Sequence, residues 1–512
     1  MASEHFDVLI MGAGLSGIDA AHHLQKLCPQ KTYVILEQRA RIGGTWDLFR
    51  YPGIRSDSDM LTMGYSFRPW TSPKMISPGD DIRDYIAATA RDEGIDRHIR
   101  FGHRIQRAAW CSGQAQWTVE ALRQLPDGSE EPCTLTCNFL FSCAGYYRYS
   151  AGYLPEFPDI GRFHGRVVHP QAWPENLDYA GKRVVIVGSG ATAVTLLPAM
   201  AKTAGHVTML QRSPTYIVSL PAQDKIANWL RGFLPAMWAY KLGRWKNVAL
   251  MIYIYQLAQR FPNFVKTGIV KKVQQELGPG YDVATHFTPS YNPWEQRLCV
   301  VPDGDMFQAI KSGRASVVTG QIETFTEKGI RLQSGQELEA DIVVTATGLV
   351  LQAFGGAELS VDGRAVDLSQ TLAYKGVMLS GVPNLASVFG YINASWTLKA
   401  DLICTYVCRL LNRMDRKGAR QVTPQSHGET AVAPFVEKFT PGYMQRALAH
   451  WPKQGSTAPW RVYQNYIRDA ISLKWSPVDN QALEFSNPSQ RQNEETPVGQ
   501  APSLRRPLRP PG

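Results

Sequence analysis

The chain of 512 residues is too long for a single hydrophobic core, which predicts two or three domains. Its 44% of hydrophobic and 19% of charged residues are typical of a folded globular protein and exclude a disordered chain. The net charge of +10 comes from Lys and Arg residues scattered along the sequence, which argues against nucleic acid as a partner and favours small anionic ligands.

The cysteines and the apolar segments indicate where the protein works. Eight cysteines lie far apart and form no Cys-x-x-Cys, so we expect free thiols, a reducing compartment and no metal site. The longest apolar run, at 248–258, is too short to cross a hydrocarbon layer of about 30 Å. We expect no signal peptide, because the first predicted strand begins at Phe6. We therefore expect a cytoplasmic protein, with peripheral contact to a membrane left open.

The first predicted elements form a strand–turn–helix–strand unit. A strand at 6–11 leads into GAGLSG at 12–17, followed by a helix to residue 27 and a strand at 33–36. Gly12 permits the tight turn, Gly14 lets a pyrophosphate approach the backbone, and Gly17 lets the helix pack on the strand. Glu37 ends the second strand, where a carboxylate can accept hydrogen bonds from ribose hydroxyls. The unit predicts a dinucleotide site at the helix N-terminus.

The same pattern recurs near residue 182. A strand at 183–187 leads into GSGATA at 188–193, a helix and a second strand at 206–210. This strand ends at Gln211-Arg212 instead of an acid, and a guanidinium there can bind a 2′-phosphate that a carboxylate would repel. The alternative is that Arg212 is an ordinary surface residue. We predict an NADPH site whose contacts are Gly188, Ser189, Gly190, Ala191, Thr192, Ala193, Val194, Gln211 and Arg212.

The remaining segments complete an α/β fold with two Rossmann-like dinucleotide-binding domains and a helical insertion. We expect the first part of one domain at 1–150 and the second domain at 151–340, with the insertion at about 224–277. A strand at 342–345 begins the return to the first domain, which would occupy 341–485. Residues 486–512 are rich in proline and lack apolar periodicity, which predicts a disordered tail.

Two interpretations of the insertion concern its aromatic and basic residues. Trp229, Trp238 and Trp245 are expected in the core rather than around a substrate. A mixture of basic and apolar side chains is typical of an interfacial helix, and it supports the hypothesis of weak binding to anionic membranes. The residues that carry this mixture are Lys241, Arg244, Trp245, Lys246, Met251 and Tyr255.

Two further motifs carry a resemblance to a known family. Residues 43–57 read GGTWDLFRYPGIRSD, and residues 163–174 fill the pattern F-x-G-x-x-x-H-x-x-x-W-P. Together they resemble the signatures of Baeyer–Villiger monooxygenases, which are class B flavin monooxygenases. Residues 5–475 are most similar to the EthA-type FAD-containing monooxygenases and overlap in likeness with the AlmA-type enzymes. Within the second motif, we interpret His169 as a hydrogen-bonded hinge rather than an acid–base catalyst.

The resemblance implies FAD and NADPH as cofactors and assigns roles by position. Arg55, Ser56 and Asp57 match positions where flavin and nicotinamide meet, and Arg297 matches the catalytic arginine of the family. Gln296 departs from a lysine that helps several ketone-oxidising members to hold the 2′-phosphate, so Arg212 would carry more of the NADPH preference. The implied FAD contacts are Ser16, Glu37, Thr45, Trp46, Asp47, Leu48 and Ile105, beside Gly12, Gly14 and Gly17.

The implied activity is insertion of one oxygen atom from O2 next to a ketone carbonyl, through a C4a-peroxyflavin. A fixed guanidinium at Arg297, held by Asp57, would stabilise the peroxide and the tetrahedral intermediate without neutralising them. The expected substrate is a small apolar ketone, or a thioether for sulfoxidation as a side activity. Alternatives are an N- or S-oxygenating flavin monooxygenase, a long-chain alkane hydroxylase and a flavin-bound redox sensor. Structural roles for Arg297 and Asp57 stay open, as does the oligomeric state.

Overall fold

A computed structural model describes residues 3–296, 298–437 and 439–488 of the chain. The N-terminal part contains β1 (Glu4–Met11), α1 (Leu15–Leu27), β2 (Tyr33–Leu36), α2 (Thr45–Leu48), α3 (Met60–Met63), α4 (Gly79–Asp92), β3 (Ile99–Arg100), β4 (His103–Cys111), β5 (Gln116–Gln124) and β6 (Glu130–Ser142).

The middle part supplies a second group of strands and the longest helix of the described residues. It contains β7 (Arg166–Val168), β8 (Arg183–Val187), α5 (Ala191–Met200), β9 (His206–Gln211), β10 (Tyr216–Leu220), α6 (Lys225–Arg231), α7 (Ala236–Arg260), α8 (Pro262–Leu277), α9 (Val283–Phe287), β11 (Leu298–Pro302), α10 (Asp305–Lys311), β12 (Ala315–Thr319), β13 (Ile322–Phe325), β14 (Gly329–Leu332), β15 (Glu337–Glu339) and β16 (Ile342–Thr345).

The C-terminal part of the described chain returns to the first sheet. It contains β17 (Glu358–Val361), β18 (Arg364–Ala365), β19 (Ala373–Tyr374), β20 (Met378–Leu379), β21 (Leu385–Ser387), α11 (Trp396–Lys417), β22 (Gln421–Pro424), β23 (Ala433–Pro434), α12 (Gly442–Ala447), β24 (Lys453–Gln454), α13 (Tyr466–Ala470) and β25 (Leu483–Ser486), with a π-helical turn at Ile471–Trp475 after α13. Of the predicted tail, residues 489–512 lie outside the described residues.

The first sheet is built around β1, which pairs in parallel with β2 on one side and β6 on the other. β3 extends the sheet beyond β2, and β21 pairs in parallel with β6, which gives the strand order of a dinucleotide-binding fold. Residues Val8 to Met11 are all buried, as expected for a parallel strand that is covered on both faces. β4 and β5 continue from β6 as an antiparallel meander, and β17 pairs with β4.

The second sheet is parallel throughout and has the order β12-β9-β8-β16-β7. Its strands come from residues 166–345, whereas the first sheet takes strands from 4–142 and 358–387. The predicted α/β fold with two Rossmann-like sheets is therefore confirmed. We propose that the domain boundaries follow this division, with α6 to α8 as an insertion into the second domain.

The helices α6 to α8 correct two expectations from the sequence. Trp229, Trp238 and Trp245 are 66%, 63% and 60% exposed, so their expected place in the core is wrong. Arg244 was expected on an interfacial surface, but it is buried. Its Nη1 donates to the carbonyl oxygens of Leu61, Thr62 and Gly64. Carbonyl groups at the C-terminal end of a helix such as α3 have no partner within the helix, so they need a donor from elsewhere. Among the described residues, no helix is both long and apolar enough to cross a membrane.

Candidate functional site

A cavity of about 1680 Å³ opens where strands of both sheets end. Its walls include the turns that follow the carboxyl ends of β1, β6, β8 and β16, which is where ligands bind in open α/β sheets. The volume exceeds the roughly 300–1,000 Å³ of an ordinary small-molecule pocket. The cavity brings together the predicted residues Gly12, Gly14, Ser16, Glu37, Thr45, Trp46, Arg55, Ser56, Asp57, Ile105, Gly188, Ser189, Gly190, Ala191, Thr192 and Arg212.

The first glycine turn is fixed by steric contacts that exclude a side chain. Gly12 has φ +96°, which favours glycine, and its N–H donates to the carbonyl of Leu36 at 2.8 Å. A Cβ on Gly17 would lie 1.9 Å from the carbonyl oxygen of Gly12, so α1 can only approach β1 because residue 17 lacks one. Gly14 precedes α1, and the first residues of this helix, Leu15 and Ser16, line the cavity. Their backbone N–H groups suit a phosphate.

The Gly43-Gly44 turn packs directly on the first glycine turn. A Cβ on Gly44 would lie 3.0 Å from the Cα atom of Gly14, and the N–H of Gly43 donates to the carbonyl of Ala13 at 3.1 Å. α2 begins at Thr45, directly after this turn, and Thr45 and Trp46 line the cavity. Two glycine turns in close contact thus form one part of the cavity wall.

Asp47 and Leu48, which were predicted as cofactor contacts, do not line the cavity. Asp47 is buried, and its Oδ2 lies 2.7 Å from Nη2 of Arg39, while its other oxygen pairs with Arg50. The ion pairs with the two guanidinium groups hold the Asp47 carboxylate inside the protein and so fix the position of α2. Leu48 packs in the core of the second sheet. We propose that both residues act on the cofactor through the position of α2.

Glu37 is in place to meet a ribose at the cavity wall. Its Oε2 accepts from the N–H of Ala13 at 2.8 Å and its Oε1 from the N–H of Arg39 at 2.8 Å. Burial raises the pKa of the Glu37 carboxyl, and the two backbone hydrogen bonds partly offset the effect. Each carboxylate oxygen keeps a further lone pair for a ligand hydroxyl.

Ser16 is joined to a helix that lies 380 residues further along the chain. Its Oγ accepts from Nε1 of Trp396 at 2.7 Å, and the Trp396 ring stacks on Tyr146 at 5.2 Å between centroids. Trp396 and Tyr146 both line the cavity. The sequence analysis missed these two aromatic residues, and it also missed Tyr149, whose pKa burial raises to about 12. The only sequence signal for Tyr146 and Tyr149 is their position just after Ala144-Gly145, which follows the buried end of β6.

The second glycine turn leaves space at the N-terminus of α5. Gly188 has φ +138°, and a Cβ there would lie 2.3 Å from the carbonyl oxygen of Ala346. Gly190 precedes α5, and a Cβ on Gly190 would have no heavy atom within 4 Å. Gly190, Ala191 and Thr192 face the cavity, whereas Ala193 and Val194 are buried in the packing of α5 against its sheet. The backbone here is open to a phosphate group.

At the end of β9, the two residues that were predicted to contact NADPH, Gln211 and Arg212, lie in different environments. Arg212 is exposed and lines the cavity, as a phosphate ligand requires. Gln211 is buried, and its Nε2 donates to the carbonyl of His286 at 2.8 Å and to Oγ1 of Thr319 at 2.9 Å. The Gln211 side chain is therefore used to tie β9 to α9 and β12, because alternate residues of a strand point to opposite faces.

Arg55, Ser56 and Asp57 line the same cavity as the two glycine turns. Arg55 pairs with Asp305 at the start of α10, with Nη1 at 2.5 Å from Oδ2. Oγ of Ser56 accepts from the N–H of Ser77 at 3.0 Å. Asp57 is exposed and lines the cavity. The Arg55–Asp305 pair joins the first part of the chain to the second sheet.

Arg297, the predicted catalytic residue, lies outside the described residues. Its neighbours Gln296 and Leu298 both line the cavity. β11 begins at Leu298 and pairs in parallel with β10, so the segment after residue 297 is anchored beside the second sheet. The catalytic assignment of Arg297 therefore stays a prediction from the sequence.

His169 directly follows β7, in the connection between two strands of the second sheet, β7 and β8. Its Nδ1 accepts from the N–H of Gln171 at 3.2 Å, and Gly152 packs against its ring so closely that a Cβ would lie 1.9 Å from Cε1. Burial lowers the pKa of His169, although hydrogen bonds to backbone carbonyls oppose the shift. His169 is absent from the cavity walls. The His169 side chain is held by local contacts, and its interpretation as a hinge stays a prediction.

The described residues fit two dinucleotides. Two helix N-termini face one cavity, and glycines leave the backbone accessible at both. The acid Glu37 follows β2 in the first sheet, whereas the exposed base Arg212 follows β9 in the second sheet. The acid suits a ribose with free hydroxyls, and the base suits a 2′-phosphate.

Solved structures of similar fold support this reading of the architecture. An oxidised steroid monooxygenase bound to NADP matches with a TM-score of 0.68 and 22% identity, covering 83% of this chain and 88% of the other. A complex of OTEMO with FAD and NADP matches with a TM-score of 0.68 and 20% identity, over 83% and 89% of the two chains. The closed structure of cyclohexanone monooxygenase matches with a TM-score of 0.67 and 20% identity, over 83% and 87%.

Sequence comparison gives closer relatives over nearly the whole chain. The FAD-containing monooxygenase EthA of Mycolicibacterium smegmatis is 53% identical over 486 residues, 94% of this chain and 98% of its own length. The probable FAD-binding monooxygenase AlmA of Acinetobacter baylyi is 49% identical over 484 residues, 94% and 96% of the two chains. These relatives confirm the resemblance that the motifs predicted. The flavin-binding monooxygenase-like family matches residues 5–378, and the chain belongs to this family.

Proposed function

We propose that this flavin-binding monooxygenase is an NADPH- and O2-dependent FAD enzyme that carries out Baeyer–Villiger oxidation. The observation that carries the proposal is one cavity whose walls include two dinucleotide turns together with Arg55 and Asp57. The overall reaction consumes a ketone, O2, NADPH and a proton, and it yields an ester or lactone, NADP⁺ and water. The cofactors would supply the hydride and the oxygen activation that side chains lack.

The residues of the chain would hold the two cofactors face to face. The α1 N-terminus and Glu37 would bind the pyrophosphate and a ribose of FAD, while the α5 N-terminus and Arg212 would bind NADPH. Asp57 would orient the guanidinium of Arg297 toward the reacting carbonyl. Such a fixed cation stabilises negative charge that develops on oxygen and cannot give up its proton.

The proposed substrate is a small apolar ketone. Leu250, Met251, Ile254, Val265 and Ile269 bring an apolar wall from α7 and α8 to the cavity. An apolar wall binds hydrocarbon by excluding water, and it accepts a thioether as readily, so sulfoxidation is a second candidate activity. We propose that the enzyme works in the cytoplasm, with contact to a membrane surface.

Replacement of Arg297 tests the mechanism. Hydride transfer needs only that the nicotinamide and the flavin be stacked, whereas oxygen insertion needs charge stabilisation. Arg297→Ala should bind FAD and be reduced by NADPH, while ester formation falls by about 10²–10³ and hydrogen peroxide is released. Arg297→Lys should fail as well, because an ammonium cannot replace the planar fork.

Reduction by stopped flow, ester by mass spectrometry and hydrogen peroxide are measured on one preparation. Arg314→Ala, which changes an exposed arginine before β12, serves as the matched control and should behave as the wild type. Near-normal ester formation by Arg297→Ala would show that the arginine is structural. Product from thioethers or alkanes but from no ketone would overturn the Baeyer–Villiger assignment.

A further inference from the structure

The outward surface of α6 and α7 is apolar and aromatic. Six large side chains on it are 48–66% exposed, and we call them the aromatic face: Trp229, Phe233, Trp238, Leu242, Trp245 and Tyr253. The rings of Trp229 and Phe233 contact each other at 4.5 Å between centroids, so the face extends from α6 into the loop that leads to α7. Contiguous exposed apolar patches of this kind mark an interaction surface.

The helical periodicity of α7 shows that the face is directed to solvent. Trp238, Leu242, Trp245 and Tyr253 recur at intervals that place them on one line along the helix. The opposite side is buried, with Tyr240 donating to the carbonyl of Tyr65. A helix on the surface of a globular protein normally turns its polar side outward, and α7 reverses this order over the roughly 23 Å from Trp238 to Tyr253.

The charge of the insertion identifies the kind of partner. Residues 225–277 contain nine Lys and Arg and one Glu, so they carry +8 of the net +10 of the chain. Lys225, Lys241, Arg260 and Lys271 are exposed, and Nζ of Lys241 lies 5.9 Å from the ring of Trp238. Exposed aromatics beside lysines and arginines suit the headgroup region of an anionic membrane. Two copies of the face would repel each other, which disfavours a homodimer.

The cavity opens beside this face. Leu220, Ile226, Leu250 and Ile254 line the cavity and are also 36–55% exposed, so they stand at its opening. Leu250 and Ile254 belong to α7 and flank Tyr253 of the aromatic face. An apolar molecule could therefore pass from a lipid layer into the cavity along hydrocarbon side chains.

We propose that the aromatic face docks the enzyme on anionic lipid bilayers and that apolar substrates enter the cavity directly from the lipid. The notion of substrate entry rests on the proposed function, whereas docking itself does not. The earlier hypothesis from the sequence placed Arg244 and Lys246 on this surface. In the structure Arg244 is buried and Lys246 pairs with Asp224 at 2.5 Å, so the outward aromatic residues carry the proposal instead.

The test measures flotation of the FAD-loaded enzyme with vesicles of phosphatidylcholine, with and without phosphatidylglycerol. The wild type should bind the anionic vesicles, and Trp238→Ser/Trp245→Ser should lower the partition coefficient by at least about tenfold. Val432→Ser is the matched control, because Val432 is 53% exposed and lies outside the aromatic face and the cavity. This control should bind as the wild type does.

Charge reversal tests the electrostatic part. Lys241→Glu/Arg260→Glu should weaken binding by at least about tenfold, and high salt should weaken binding of the wild type. Lys202→Glu/Lys328→Glu changes the net charge equally at exposed sites outside the insertion and should have little effect. Equal losses from both pairs would show unspecific attraction and overturn the docking face.

Turnover of a water-soluble ketone without vesicles separates the two proposals. The aromatic-face variants should keep wild-type kcat and KM for it, and should raise KM only for a long-chain ketone presented in vesicles. If the wild type does not float, or the Trp variant floats equally well, docking is wrong while soluble turnover still stands. A concentration-dependent dimer that the Trp variant loses, with no vesicle binding, would identify the face as a self-association surface and overturn docking.

Discussion

At the scale of single residues, the two dinucleotide sites differ in the charged side chain that follows the second strand of each strand–turn–helix–strand unit. Glu37 ends β2 with a buried carboxylate held by two backbone N–H groups, so its position is fixed. Arg212 follows β9 at the cavity wall and is exposed. A fixed acid discriminates against a phosphate, and an arginine attracts one, so the sites should not exchange ligands.

Removal of the Arg212 guanidinium should change cofactor preference. Arg212→Ala loses a charge-assisted contact of about 1.5–3 kcal/mol, so KM for NADPH should rise about ten- to a hundredfold while KM for NADH changes little. Steady-state oxidation of each cofactor measures the effect. Arg166→Ala, an exposed arginine on β7, is the control. Comparable use of NADH and NADPH by the wild type would refute the assignment.

At the scale of elements, the contact between α1 and α11 supports the FAD site. Trp396 at the start of α11 donates to Ser16, and His23 of α1 lies between Asp19 at 3.2 Å and Asp401 of α11 at 3.6 Å. Burial alone lowers the pKa of His23, but the hydrogen bond and charge of Asp19 outweigh it and raise the pKa to about 9. Arg244 of α7 and His22 also act on this cluster.

This pair predicts how stability depends on pH. The folded-state pKa of His23 lies above its ordinary value, so the stabilisation is complete below about pH 6.5 and is lost as pH rises through about 9. The melting temperature of the holoenzyme should therefore fall across this window. In His23→Gln the fall should be smaller by a few degrees, as measured by calorimetry. Equal slopes for the two proteins would show that the pair does not contribute.

At the scale of the whole molecule, the insertion holds the two sheets around the cavity. Arg244 of α7 donates to carbonyls of the α3 region, and Nδ2 of Asn247 donates to Asp59 at 3.0 Å. The N–H of Met75 donates to the carbonyl of Ala222 at 2.7 Å. These contacts join the first part of the chain to α7 and to the segment that follows β10, so both dinucleotides would bind within one connected frame.

Shared walls predict thermodynamic coupling between the cofactors. A bound flavin orders Arg55, Asp57 and their neighbours before NADP⁺ arrives, so NADP⁺ should bind the holoenzyme at least about fivefold more tightly than the apoenzyme. Titration calorimetry of both forms measures this ratio. By reciprocity, NADP⁺ should tighten the equilibrium binding of FAD by the same factor. Equal dissociation constants would mean that the two sites are independent.

The sequence by itself determined the local parts of this protein. Both glycine turns, the strands before them and the acid and base that end the units follow from spacing, because tight turns and helix N-termini obey steric rules within a few residues. The two Rossmann-like sheets followed from the repeat of this unit. A count of charges over 225–277 could also have revealed the basic insertion that appeared scattered in the whole chain.

Only the tertiary structure decided which of these residues meet. Arg55 pairs with Asp305 across 250 positions and Ser16 meets Trp396 across 380, and no local pattern encodes such contacts. Periodicity shows that α7 has two faces, but it does not say which one is buried. The three carbonyls near α3 needed a donor, so Arg244 turned inward, and the tryptophans were left facing outward. Burial is set by the neighbours that the fold supplies.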